Sequence, residues 1–157
     1  MPRTYSITFK NVAISAAQDL VSLKGSTGKV CKVNRVWLNM NDTTLQNAQG
    51  LKLNVKYSSA TITLGSGGTA PTPRPYDPGD AAASFTCRVN DTTPATTSGA
   101  FVDITPLGGH NYGGVNWNYG DKGPYFGLNE GVVFELASTV SGTCTFSGGV
   151  EVTEFGS

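Results

Sequence analysis

The chain is short of charge. Its 11 Lys and Arg balance its 11 Asp and Glu, and together they make up 14% of 157 residues, against roughly 25% in an ordinary soluble domain. With no basic stripe to release counterions from phosphates, DNA and RNA are not expected partners. The vacated positions are filled by Thr, Ser, Asn and Gly, and depletion of Lys and Glu is also a property of interface centres. No window approaches 18 apolar residues, which excludes a spanning helix. The opening MPRTYSITFK lacks the continuous apolar stretch of a secretion signal, so the expectation is a soluble chain made in the cytosol. A single histidine, His110, leaves little for acid–base chemistry. Cysteine is scarce too: Cys31, Cys87 and Cys144 are odd in number, far apart, and each set in an alternating apolar pattern. Buried free thiols are the default reading. The triplets Asn41-Asp42-Thr43 and Asn90-Asp91-Thr92 match a glycosylation acceptor, but without a secretory route they are chance matches.

What the chain has in abundance is a period of two. Tyr5, Ile7 and Phe9 alternate with Ser6, Thr8 and Lys10, and Leu51, Leu53, Val55 and Tyr57 alternate with Lys52, Asn54 and Lys56. The pattern returns in Phe85, Cys87 and Val89, in Val132, Phe134 and Leu136, and in Cys144, Phe146, Gly148, Val150 and Val152. Each reads as a half-buried strand. Between Val30 and Met40 the apolar phase shifts, from Cys31 and Val33 to Val36, Leu38 and Met40, which places a bulge or a bend near Asn34 and Arg35. A further strand is expected at Ala100 to Ile104. Only Ala13 to Leu23 has room for a helical turn, and Val21 to Leu23 reads equally well as strand. Turn signals at Gly25 to Gly28, Asn41-Asp42, Gly99, Gly108-Gly109, Asn129 to Gly131 and Ser141-Gly142 divide the chain into about eight strands. Without crossover helices these must be antiparallel. The expected fold is all-β: a single antiparallel sandwich, jelly-roll-like, spanning residues 1–157.

Two long segments interrupt this pattern. Residues 65–80 form a Gly- and Pro-rich arm. Gly65, Gly67 and Gly68 give it a freely bending start, and Pro71, Pro73, Pro75 and Pro78 stiffen the rest toward extended geometry. Such an arm is either a loose loop or a strap seeking another protein surface. The side chains able to anchor it are Arg74 and Tyr76. The second segment, residues 108–127, spreads Tyr112, Trp117, Tyr119, Tyr125 and Phe126 among glycines, as either a lid on the sandwich or anchors in an interface.

The sequence offers no catalytic or cofactor constellation. His110 stands on a Gly-Gly segment with no G-x-S-x-G elbow to present a nucleophile. One His and three dispersed Cys lack zinc spacing. Asp77 and Asp80 sit in D-P-G-D, which is turn chemistry before it is a cation site. Gly65-Ser66-Gly67-Gly68 lacks the Lys and helix of a phosphate loop. Asp103, Glu135 and Glu151 fall on strands without a paired acid–base arrangement. The expectation is a non-enzyme with no metal and no cofactor.

The segment L-G-S-G-G-T-A-P-T-P-R-P-Y-D-P-G-D-A-A-A-S-F-T-C-R-V-N-D-T-T resembles one recurring in small virion-associated proteins of tailed bacteriophages. The opening R-T-Y-S-I-T-F-K-N-V-A-I-S-A-A-Q-D-L-V-S-L and the closing F-S-G-G-V-E-V-T-E-F resemble the first and last strands of the same proteins, so nearly the whole chain is covered, residues 108–127 least well. The resemblance implies a capsid cement or decoration role on the virion exterior. The implied partners are the major capsid protein and other copies of the chain, as a dimer or trimer, with no membrane or nucleic acid. A tail-associated or host-recognition module binding cell-surface glycan is the alternative. The candidate contact residues are Pro71, Pro73, Arg74, Pro75 and Tyr76 on the arm, reaching a neighbouring subunit, and Tyr112, Trp117, Tyr119 and Tyr125 on the aromatic segment.

Overall fold

A computed structural model of the chain describes residues 1–42, 44 and 47–156; Thr43, the last member of the first glycosylation triplet, lies outside them. The strands are β1 (Arg3–Ile14), β2 (Gln18–Lys24), β3 (Val30–Met40), β4 (Gly50–Ser58), β5 (Ile62–Thr63), β6 (Arg74–Pro75), β7 (Thr86–Asp91), β8 (Thr96–Thr97), β9 (Val102–His110), β10 (Val115–Asn118), β11 (Tyr125–Phe126), β12 (Gly131–Leu136) and β13 (Cys144–Phe155). A single 3-10 turn at Gly120–Lys122 is the one helical element among the described residues.

Two antiparallel sheets pack face to face. The first runs β10-β3-β13-β1-β6, with β11 also on β3; the second runs β7-β2-β12-β4-β9. Consecutive main strands alternate between the sheets from β1 to β4, and again from β9 through β10 and β12 to β13. The result is an all-β sandwich. Its core is made by the alternating residues: Tyr5, Ile7, Val36, Leu38, Phe146, Val150 and Val152 of the first sheet meet Leu23, Leu53, Val55, Cys87, Val89, Phe134 and Leu136 of the second. The phase shift in β3 is a bulge. Val33 pairs with Val152 and Arg35 with Glu151, leaving Asn34 as the extra residue. That insertion keeps both halves of β3 facing inward, because a one-residue slip would otherwise turn the second half out.

A third layer covers part of the second sheet's outer face. The β5–β8 pair sets Ile62 and Ala95 against Val133, with Leu64 and Phe101 beside them. This cap is why β2 is buried on both faces, as strands in a three-layered region are. Ala13 to Leu23 holds no helical turn: it is the end of β1 and most of β2. The strand expected at Ala100 to Ile104 starts at Val102 and runs on to His110.

Two expectations about the long segments are corrected. Residues 65–80 do not protrude as an arm; they lie along their own domain. Residues 108–127 are not one long loop, because they contain the end of β9, the whole of β10 and β11, and the 3-10 turn. Both corrections have the same cause. Edge strands have unpaired N–H and C=O groups, and a nearby segment with little hydrophobicity is held by satisfying them.

Candidate interaction site

A sandwich has two open sides, where the edge strands of its sheets lie beside one another. On the first, β1 and β7, the chain closes the gap itself. Gly65 and Gly68 allow the closest approach: a Cβ on Gly65 would collide with the Thr93 carbonyl, and one on Gly68 with the Val89 carbonyl. Thr69 then exchanges both backbone hydrogen bonds with Val89, at 3.0 and 2.8 Å. The Cys87 thiol donates to the Pro71 carbonyl at 3.2 Å. Farther on, Arg74 and Pro75 pair with Ser6 and Tyr5, and the Tyr76 amide donates to the Thr4 carbonyl at 2.9 Å. A proline is tolerated here because β6 is the outermost strand.

The strap ends in a fixed turn. The Gly79 amide donates to Asp77 Oδ1 at 2.9 Å, Arg3 pairs with Asp80 at 3.6 Å, and the Tyr5 hydroxyl donates to the Ala81 carbonyl at 2.9 Å. Glu154 accepts from both the amide and the hydroxyl of Ser84. Phe85 then enters the core edge-on to Tyr5 and to Phe126, with ring centroids 5.7 and 6.3 Å away. Burial alternates along the strap: Pro71, Pro73 and Pro75 face inward and half-buried, whereas Thr72, Arg74 and Tyr76 face solvent. The prolines are therefore spent on the chain's own domain. Arg74 and Tyr76 remain available.

The second open side, between β9 and β10, is closed by far less. Tyr119 crosses the gap, its hydroxyl bonding Thr105 Oγ1 at 2.9 Å, and burial pushes its phenol up, so it bridges as a neutral group. Trp117 lies edge-on to Tyr119 at 6.4 Å with 44% of its surface exposed. On β9, Val102 is 61% exposed and Ile104 39%. Tyr112 stacks on His110 at 6.2 Å and is also exposed. The outer edge of β9 has no strand beside it among the described residues. Pro106 and Gly108 on that strand blunt it against indiscriminate strand pairing. Tyr125 stands apart from this group, tilted against Phe155 at 6.3 Å, and its neighbour Phe126 is fully buried. Thus Tyr112, Trp117 and Tyr119 share one margin with Val102 and Ile104, and Tyr125 does not join them.

One group of ionisable residues is engaged in structure on the second sheet. Asn54 Nδ2 bridges Asp103 Oδ1 at 2.7 Å and Glu135 Oε1 at 3.2 Å, and Lys56 pairs with Glu135 at 2.6 Å. The network ties β4, β9 and β12 together across the outer face of the second sheet. Cys31, Cys87 and Cys144 are free and buried; burial pushes the first up to about 12 and the second to about 11, so both stay as inert thiols at neutral pH. Among the described residues no helix is long and apolar enough to cross a membrane.

Sequence reasoning missed Val102 and Ile104, whose exposure depends on β9 lying at an edge. It also missed Arg35 and Trp37, which stack at 4.4 Å on the outer face of the first sheet. Their signal was present: a Trp in the outward phase of a strand whose inward phase is already apolar. Comparisons with family models, with curated proteins and with solved structures gave no match.

Proposed function

We propose that the chain is a non-enzymatic structural protein of a tailed-phage virion, a cement or decoration protein that binds the outside of the major capsid shell as a homo-oligomer. The alternation of main strands between the sheets is read as jelly-roll winding, suited to a rigid scaffold. The observation that carries the reading is the asymmetry of the two open sides. One is sealed by the chain's own strap, and the other leaves Trp117, Tyr112, Val102 and Ile104 in solvent. Exposed aromatic and aliphatic side chains set along one margin have the composition of an interface centre. Many copies on a lattice combine modest contacts through avidity, so no single contact has to be tight. The resemblance of the 64–93 segment to virion proteins supplies the setting.

This assignment differs from the sequence expectation in one respect: the proposed contact is the β9–β10 margin, with Arg74 and Tyr76 as the large strap side chains facing out. Quantitative composition of purified virions tests it. The chain should be present in numbers comparable to the capsid protein, and Trp117→Ala should lower its occupancy on the shell without lowering its thermal midpoint. Absence from the particle overturns the proposal, and a handful of copies favours a tail or host-recognition module.

A further inference from the structure

The outer face of the first sheet is built from two neighbouring cross-strand rows. In one, Arg35 of β3, Glu151 of β13, Ser6 of β1 and Arg74 of β6 lie side by side. In the next, Trp37, Gly149 and Thr8 do. Gly149 leaves a trough, and the Trp37 ring reaches over it: a Cβ at 149 would come within 3.0 Å of ring atom Cζ2. The Arg35 guanidinium stacks on that ring.

Glu151, the cross-strand neighbour of Arg35, sets one carboxylate against two guanidinium groups along the row, and each of its oxygens already accepts a hydrogen bond from a neutral donor. Oε1 accepts from Asn34 Nδ2 and Oε2 from the Tyr76 hydroxyl, each at 3.2 Å. Among the described residues the ion pairs are Arg3–Asp80, Lys56–Glu135 and Arg88–Asp91. Among the described residues Arg35 and Arg74 have no carboxylate partner, and Arg35 Nε is buried with no hydrogen-bond acceptor. A guanidinium held flat on an aromatic ring is already ordered for a planar bidentate acceptor, so less entropy is lost when one arrives. At the other end of the row, Arg74 lines a cavity of about 340 Å³ with Ser6, Thr8, Pro71 and Thr72.

We propose that this face binds an acidic saccharide, a chain of sugars bearing carboxylates of the uronic type. Arg35 takes one carboxylate and Arg74 another, while Ser6, Thr8 and the indole edge of Trp37 contact the sugar rings between them. Three strand spacings put the two guanidinium-bearing strands about 14 Å apart, which suits charges repeated along a polymer rather than a single carboxylate. The floor is hydroxyl, amide and glycine with the one Glu151 carboxylate, and Arg35 covers a face of its one aromatic, Trp37, so it offers no broad apolar centre of the kind a protein partner uses. The β9–β10 margin plays no part, so this inference stands or falls separately from the shell contact.

Calorimetric titration of the whole chain with oligogalacturonate, with maltohexaose as the neutral control and poly-glutamate as the acidic peptide control, tests it. Saturable binding of oligogalacturonate alone is expected, weakened about tenfold by Arg35→Gln through loss of a charge-assisted pair. Arg74→Gln, at an exposed position that cannot unfold the chain, should weaken it several-fold, and Trp117→Ala should leave it unchanged. The proposal is overturned if maltohexaose or poly-glutamate binds as well as the uronate, if no uronate binding is seen, or if both arginine variants bind like the parent chain.

Discussion

The two open sides of the sandwich solve one geometric problem in opposite ways. Between β1 and β7, some twenty residues of strap are laid down, and the closing contacts are backbone hydrogen bonds, a buried aromatic and a half-buried row of prolines. Between β9 and β10, Tyr119 spans the gap, Val115 packs against Gly109, and large apolar side chains remain in water. Loss of a strap-side contact should therefore be felt as lost stability. Loss of a β9–β10 contact should be felt only when another molecule is present.

The largest effect expected is from Phe85→Ala. Phe85 is buried between Tyr5 and Phe126, and its truncation should cost about 3–5 kcal/mol, measured by denaturant unfolding. Gly68→Ala comes next, because the added carbon meets the Val89 carbonyl and must push the strap away from β7; a loss of about 1–3 kcal/mol is expected, with faster hydrogen exchange at the Thr69 and Val89 amides. Replacing Pro71, Pro73 and Pro75 together by Gly should cost a similar ~1–3 kcal/mol, chiefly through the wider unfolded ensemble, with the lost packing of the half-buried rings added to it. An unchanged midpoint in that triple variant would show that the strap is not part of the cooperative unit. Trp117→Ala sits at the bottom of the scale, within about 0.5 kcal/mol for the isolated chain, while sedimentation mass or shell occupancy falls. If it instead destabilised the monomer like Phe85→Ala, the contrast between the sides would collapse.

A pH experiment sharpens the picture from under the cap. Asp19 is buried on β2; its Oδ2 accepts the Ala95 amide at 2.7 Å, its Oδ1 has no partner among the described residues, and burial raises its pKa. A carboxyl whose folded pKa is raised stabilises the fold below its unfolded value, near 3.9, and that contribution is lost as pH rises through the folded value. Asp19→Asn keeps an oxygen for Ala95 and cannot ionise. Thermal melts should show it more stable than the parent at pH 7, with the difference shrinking toward pH 3.

Most of the sheet structure was legible because burial on one face writes itself as alternation. Tyr5-Ile7-Phe9, Leu51-Leu53-Val55 and Phe85-Cys87-Val89 are core residues, and the shifted phase around Asn34 is a true bulge. Turn chemistry was equally readable, since Gly28, Asn129 and Gly142 all adopt positive φ. What could not be read was anything set by position in the sheet. Gly65 and Gly68 looked like flexibility and are close-approach positions. The prolines looked like a projecting arm, yet the segment lies along its own domain with Pro75 in an edge strand, because composition does not say whether an unpaired edge lies within reach. The aromatic segment looked continuous, but β10 and β11 divide it and send Phe126 inward while leaving Trp117 outside. In the candidate interaction site, the aromatics were visible and their aliphatic companions on β9 were not.

The placement of Cys87 under Pro71 gives the molecule a reporter of its own motion. The Sγ is covered by the strap and held in the unreactive protonated form, so an alkylating reagent reaches it only during excursions in which residues 69–75 lift away from β7. Its modification rate under native conditions is thus a clock for that local opening, readable by mass.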